Sequence, residues 1–183
     1  YMGVRANKIA QAIRGLVNEV ETDLGALQSK FSRAYGTPGT TPFGTANDYT
    51  DASFALKILK DNGAPLTDNH LVMNTTAADA AGSDSILRQG ILLPLQNMDL
   101  RESAQINTTV AGTGTSYTSN TAGYAIGATA ITLLTGSGTV LAGDTVTFAG
   151  DANKYVVAVG VAAPGAITLA APGLRQALAG SAI

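Results

Sequence analysis

Charge falls away abruptly partway along this chain, and that break constrains the fold more than any single motif. Of 11 basic and 13 acidic side chains, only Asp144, Asp151, Lys154 and Arg175 lie beyond residue 106. Two architectures are therefore expected, residues 1–106 and residues 107–183. The length of 183 residues matches about one to one and a half ordinary domains.

The first part opens on a long amphipathic helix. Ile9, Ile13, Leu16, Val17, Val20, Leu24, Leu27 and Phe31 recur at spacings of three and four, which gathers them into one apolar stripe. Arg14, Glu19, Glu21, Asp23 and Lys30 occupy the other faces, and Gly36, Pro38 and Gly39 end the pattern. Unbroken, such a helix makes a rod of about 45 Å. Its stripe either packs on the chain's own sheet or forms a coiled-coil seam. A second helix is signalled by Asp48, Thr50 or Asp51 as N-cap, by Phe54, Ala55, Ile58 and Leu59, and by Asn62-Gly63 with Pro65 just beyond. His70 to Asn74 reads as a short buried strand, Ser83 to Gln89 as a short helix and Asp99 to Gln105 as a strand. This part is α+β or α/β.

Beyond Ile106, β-branched runs at Ala130–Leu133, Thr145–Phe148, Tyr155–Val159 and Ala166–Leu169 are punctuated by Gly136-Ser137-Gly138, Gly143-Asp144, Gly150-Asp151 and Pro164-Gly165. An all-β barrel or sandwich is expected there.

Composition narrows the function classes. Charged residues are 13% of the chain, well below the roughly 25% typical of soluble domains, so much of the surface is expected to be covered by partners. The net charge of −2 offers no polybasic footprint for sequence-specific nucleic acid or for an anionic membrane. There is no cysteine for a disulfide, a thiolate metal site or a thiol nucleophile. No apolar run reaches the roughly 18 residues of a membrane span, and no export signal opens the chain. Both ends read as cut from a longer polypeptide.

Catalytic signals are sparse. His70 is the only histidine, so a Ser-His-Asp relay would need it with Ser83 or Ser85 and Asp79 or Asp84, and no Gly-x-Ser-x-Gly elbow accompanies them. Asp144 and Asp151 sit in Gly-Asp turns that such a side chain supports by bonding nearby backbone. Asp99, Arg101 and Glu102 alternate on a strand, a pattern of cross-strand or intersubunit pairing more than of acid/base work. Gly112-x-Gly114 and Gly136-x-Gly138 lack a Walker lysine and a following helix. Asn74-Thr75-Thr76 and Asn107-Thr108-Thr109 match the glycosylation pattern without a secretion signal. No catalytic, cofactor-binding or metal-ligating residue is assigned.

One run is more specific. Leu141-Ala142-Gly143-Asp144-Thr145-Val146-Thr147-Phe148-Ala149-Gly150-Asp151-Ala152-Asn153-Lys154-Tyr155-Val156-Val157, followed by Ile167 to Arg175, resembles the inserted β domain of podovirus coat proteins. Upstream, Ala34 to Phe43, Leu59 to Pro65 and Leu87 to Leu92 resemble the same family's peripheral domain. The resemblance implies a Hong Kong 97-type capsid fold, with residues 4–34 as a spine helix crossing a sheet-backed peripheral domain and an inserted β-barrel after the strand that starts at Asp99. It further implies a major capsid protein of a tailed bacteriophage or prophage, a non-enzymatic subunit without cofactor. Such a subunit assembles in the bacterial host cytoplasm into hexamers and pentamers of a virion shell, with scaffolding and portal proteins as partners. The alternative reading is a cell-surface or tail-associated adhesin, for which Tyr117 and Tyr124 are the nearest thing to an aromatic ligand patch.

Overall fold

The computed structural model describes residues 2–45, 48–82, 95–96, 98–162 and 164–179. Helix α1, Met2–Ala26, passes into a one-turn 3-10 helix, Leu27–Lys30, and at Phe31 the backbone turns extended (φ −70°, ψ 138°). The rod is thus about 37 Å long, shorter than the unbroken helix expected over residues 4–34. It changes character where it meets the chain at Gln105. A Cβ on Gly25 would lie 3.1 Å from the Gln105 carbonyl oxygen, so the two backbones approach closely there.

Helix α2, Thr50–Asp61, stops at Asn62 as its end signal predicts, but its N-cap is Tyr49 and not Asp48, Thr50 or Asp51. The Asp48 carboxylate accepts the Thr50 N–H at 2.9 Å, while the Asp51 carboxylate reaches back to the Phe43 N–H at 3.1 Å. At the other end the Asn62 side chain donates to the Ile58 carbonyl at 2.6 Å. Gly63 takes φ +71°, and the Ala64 N–H closes on the Leu59 carbonyl at 3.0 Å. The left-handed residue lets the chain reverse and satisfies carbonyls that the helix leaves open.

Strand β1, His70–Met73, pairs in parallel with β2, Asp99–Glu102, in the register His70↔Asp99 to Met73↔Glu102. Helix α3, Thr75–Gly82, follows β1 directly and is not foretold by the sequence pattern. It is rich in alanine and carries no large apolar residue to reveal a period. Its start is set by Asn74, whose side-chain oxygen accepts the Ala77 N–H at 2.9 Å. The short helix expected from Ser83 to Gln89 lies outside the described residues. Ala52, Leu56, Met73, Ala77, Ala81 and Met98 close a small core with Phe43.

The β-rich part forms one antiparallel sheet, ordered β3 (Ala130–Thr132), β6 (Ala166–Leu169), β5 (Tyr155–Val159), β4 (Thr145–Val146). Alternate side chains make its core: Ile131, Val157 and Ile167 are fully buried, with Tyr155, Leu169 and Leu174 around them.

This sheet does not close into the expected barrel. β3 and β4 are its two edges, and outside the ladders the pairing is by isolated bridges such as Thr115–Ser137, Ser119–Leu133 and Val140–Val161. Two features keep it open. Gly136 and Gly138 turn to φ +118° and +84°, and Ser116 to +56°, so the segments flanking β3 cannot hold extended geometry long enough for a ladder. Beside β4 the Asp144 carboxylate takes the Gly112 N–H (3.0 Å) and the Leu141 N–H (2.8 Å), and both donors are lost to strand pairing.

The α+β class stands, but the Hong Kong 97-type arrangement, a spine helix laid on a sheet with an inserted barrel, is corrected. The described residues form three α-helices, one 3-10 turn and two small open sheets. Helix α1 lies outside both hydrophobic cores.

Candidate interaction surface

Helix α1 turns its apolar stripe to solvent. Every residue from Gly3 to Glu21 is exposed. Ile9 and Leu16 each keep 62% of their surface, Ile13 56% and Val20 52%, with Leu24, Leu27 and Phe31 continuing the line. Scattered exposed apolar residues are ordinary, but a contiguous stripe of them marks an interaction site.

The attachment of α1 to the body explains why the stripe is bare. Thr22 donates to the Gln105 side chain at 3.0 Å, and the Ser103 hydroxyl donates to the Glu21 carboxylate at 2.8 Å. The Gln28 side chain donates to the Asn107 carbonyl at 3.1 Å. At 3.6 residues per turn, Thr22 and Gly25 fall on the face opposite Ile13 and Val20. The helix is held by its polar side near its C-terminal end, and the apolar side points away.

A second cluster joins the β sheet to α2. Tyr155 donates its hydroxyl proton to Asp151 at 2.5 Å, and the same hydroxyl accepts the Arg175 N–H at 3.1 Å. Asn153 supplies its backbone N–H (2.9 Å) and its side-chain amide (2.6 Å) to the other Asp151 oxygen. Burial by itself pushes the Asp151 carboxyl up. The hydrogen bonds from Tyr155 and Asn153, with the charge of Arg33, outweigh it and hold the group below its ordinary value. Burial, then the bond to Asp151, pushes the Tyr155 phenol up. Burial, then the like charge of Arg175, lowers Arg33. From this cluster Arg175 reaches Asn62 at the end of α2, guanidinium to side-chain oxygen at 2.6 Å. Tyr35 stacks on Phe54 (centroids 4.2 Å, planes 5° apart) and carries the Lys154 ammonium 5.4 Å above its ring. The sequence pattern missed this junction, because Arg33, Tyr35, Asn62, Asp151, Lys154 and Arg175 come from four separate segments. The Gly-Asp turn at Asp151 was legible; its link to Tyr155 was not.

Among the described residues, those weighed for chemistry are not assembled into a site. His70 faces the Asp68 backbone carbonyl at 3.2 Å, with the Asp68 carboxylate 3.9 Å away. Asp79 is on α3, and Ser83, Asp84 and Ser85 lie outside the described residues. Asp99, Arg101 and Glu102 enter no ion pair among the described residues. Gly136 and Gly138 serve close packing: a Cβ on Gly138 would meet the Thr113 carbonyl oxygen at 2.2 Å, and one on Gly136 the Tyr117 ring at 2.7 Å. Gly112 packs in the same way against Asp144. A cleft of about 280 Å³ runs between Pro38, Tyr117, Val140 and Asp144, and the carboxylate facing it is engaged by backbone N–H groups. Tyr117 is buried, its hydroxyl bonded to the Gly138 carbonyl at 2.5 Å, and the Tyr124 hydroxyl accepts the Thr132 N–H at 2.8 Å. Among the described residues no three His, Cys, Asp or Glu side chains gather as a metal site, and no helix is long and apolar enough to cross a membrane.

No protein-family model matches the sequence, and a search of curated proteins returns no match.

Proposed function

We propose that this chain is a structural subunit of a bacteriophage capsid shell, a major capsid protein that associates with copies of itself to enclose DNA. The observation that carries the reading is the bare apolar stripe of α1, presented outward by a helix tethered through its polar face. A subunit that must meet many neighbours needs an extended edge of this kind more than a pocket. Each contact can be weak, because a closed shell repeats it many times. The low charge content agrees with wide subunit contacts. The run from Leu141 to Val157 and the segment from Ile167 to Arg175 support the phage coat assignment by their resemblance to podovirus coat proteins. On this reading the protein has no enzymatic activity, its partners are other copies with scaffolding and portal proteins, and it assembles in the bacterial cytoplasm into the virion.

Negative-stain electron microscopy of the purified chain, at rising concentration and with a phage scaffolding protein added, tests it. Closed shells or curved sheets are expected, and Leu16→Asp should abolish them. Dispersed particles only, under every condition and with native circular dichroism, would overturn the reading in favour of a binding module.

A further inference from the structure

We infer that α1 is a self-recognition element: it pairs antiparallel with α1 of a second copy, about a two-fold axis that brings Arg5 of each copy opposite Glu19 of the other. The inference rests on α1 alone and does not depend on the capsid reading.

The spacing supplies the seam. Ala6, Ile9, Ile13, Leu16 and Val20 alternate intervals of three and four, the a/d repeat of a two-stranded coiled coil. All of them are exposed, and the tether at Thr22, Glu21 and Gln28 leaves that side of the rod open to a partner.

The flanks decide orientation. One edge of the stripe carries Arg5, Ala12 and Glu19, each seven residues from the next; the other carries Gly3, Ala10 and Val17. In a parallel pair unlike edges meet, so Arg5 and Glu19 would face the uncharged edge. In an antiparallel pair like edges meet. Arg5 and Glu19 stand at equal intervals on either side of Ala12, so the two-fold arrangement makes two ion pairs at once, with Ala12 beside Ala12 of the second copy. The small residues of the opposite edge, Gly3 and Ala10, allow the two backbones to approach.

The same register fits the core. Ile9 then meets Ile13, and Leu16 meets Ala6, so large side chains oppose each other at the centre and large opposes small further out. Asp23, the residue that interrupts the repeat, falls beyond the end of the overlap. Sliding by one heptad would set Asp23 against Ala6 inside the seam and leave Arg5 opposite Ala26, which removes both ion pairs and buries a carboxylate. Charge complementarity therefore selects one occupant and one register.

Sedimentation velocity on the full chain tests the pairing. A monomer–dimer equilibrium is expected, with a dissociation constant on the order of tens of micromolar. Arg5→Glu or Glu19→Arg alone should weaken it about tenfold, and the double exchange R5E/E19R should restore it to within about threefold. These side chains are exposed, so folding is not at risk, and circular dichroism confirms it. Because the chain has no cysteine, mild oxidation of an equimolar mixture of Arg5→Cys and Glu19→Cys proteins reads the orientation. Mixed 5–19 disulfides are expected. A monomer at several hundred micromolar (more than about tenfold above the expected constant), a double exchange no better than the singles, or 5–5 and 19–19 disulfides in place of the mixed one would each overturn the inference.

Discussion

The Tyr155 hydroxyl and the Asp151 carboxylate meet at 2.5 Å inside the junction between the sheet and α2, and each shifts the other's titration. The pair joins the turn at Asp151 to the first residue of β5, and it anchors Arg175 and faces Arg33. Its energetics follow from burial: a charge-assisted bond shielded from water is worth more than a surface pair, and one partner left alone costs more than the pair contributes.

Asp151→Asn should therefore destabilise the fold by about 1–3 kcal/mol, since it removes the negative charge facing the half-buried Arg33 and weakens the Tyr155 bond. Chemical denaturation at neutral pH measures it.

The pH profile should show the same pair. Asp151 is held below its ordinary value, so its contribution is full above about pH 3.9 and is lost as pH falls through the lowered folded value. Tyr155 is pushed up, so its contribution is full below about pH 10 and is lost as pH rises through the raised folded value. Thermal unfolding scanned across pH should thus give a plateau with two falling limbs. Asp151→Asn should flatten the acid limb and Tyr155→Phe the alkaline one.

Two glycines of similar backbone conformation should respond unequally to alanine. Gly150 has φ +82° with open space around a Cβ, so Gly150→Ala should cost only the left-handed strain, roughly 1–2 kcal/mol. Gly138 has φ +84° and would drive its Cβ to 2.2 Å from the Thr113 carbonyl oxygen. Gly138→Ala should cost distinctly more and break the Thr115–Ser137 bridge beside it. Denaturation midpoints with amide hydrogen exchange at Thr115 report both effects.

Burial separates two isoleucines of identical chemistry. Ile167 is fully buried between β3 and β5, so Ile167→Ala should destabilise by about 2–5 kcal/mol through lost transfer energy and a residual cavity. Ile13 keeps 56% of its surface. Ile13→Ala should leave the dilute protein within about 0.5 kcal/mol of wild type, alanine being the better helix former. Melting curves at low concentration check the contrast. A large loss at Ile13 would mean that the stripe supports the chain's own core.

The sequence by itself determined the local elements whose signals are short-range. The Asp48 turn ahead of Thr50 and the Asn62-Gly63 stop bracket α2, and the three-and-four spacing from Ile9 makes α1 a helix. The β-branched runs between glycine turns become β3 to β6, and β4 shrinks to two residues. Each of these depends on neighbours within a few positions, where backbone geometry and hydrogen bonding are set by adjacent residues. Tertiary structure decided what those elements do with one another. Whether the α1 stripe is covered depends on which face Gln105 and Ser103 grip, and that is a contact across some eighty residues of chain. Whether the sheet closes depends on Asp144 taking the Gly112 N–H from 32 residues away. Arg33, Asn62, Tyr155 and Arg175 become one junction only after four segments meet. Periodicity along a sequence carries the existence of an apolar face, but the choice of what covers it belongs to long-range packing, where no local pattern reaches.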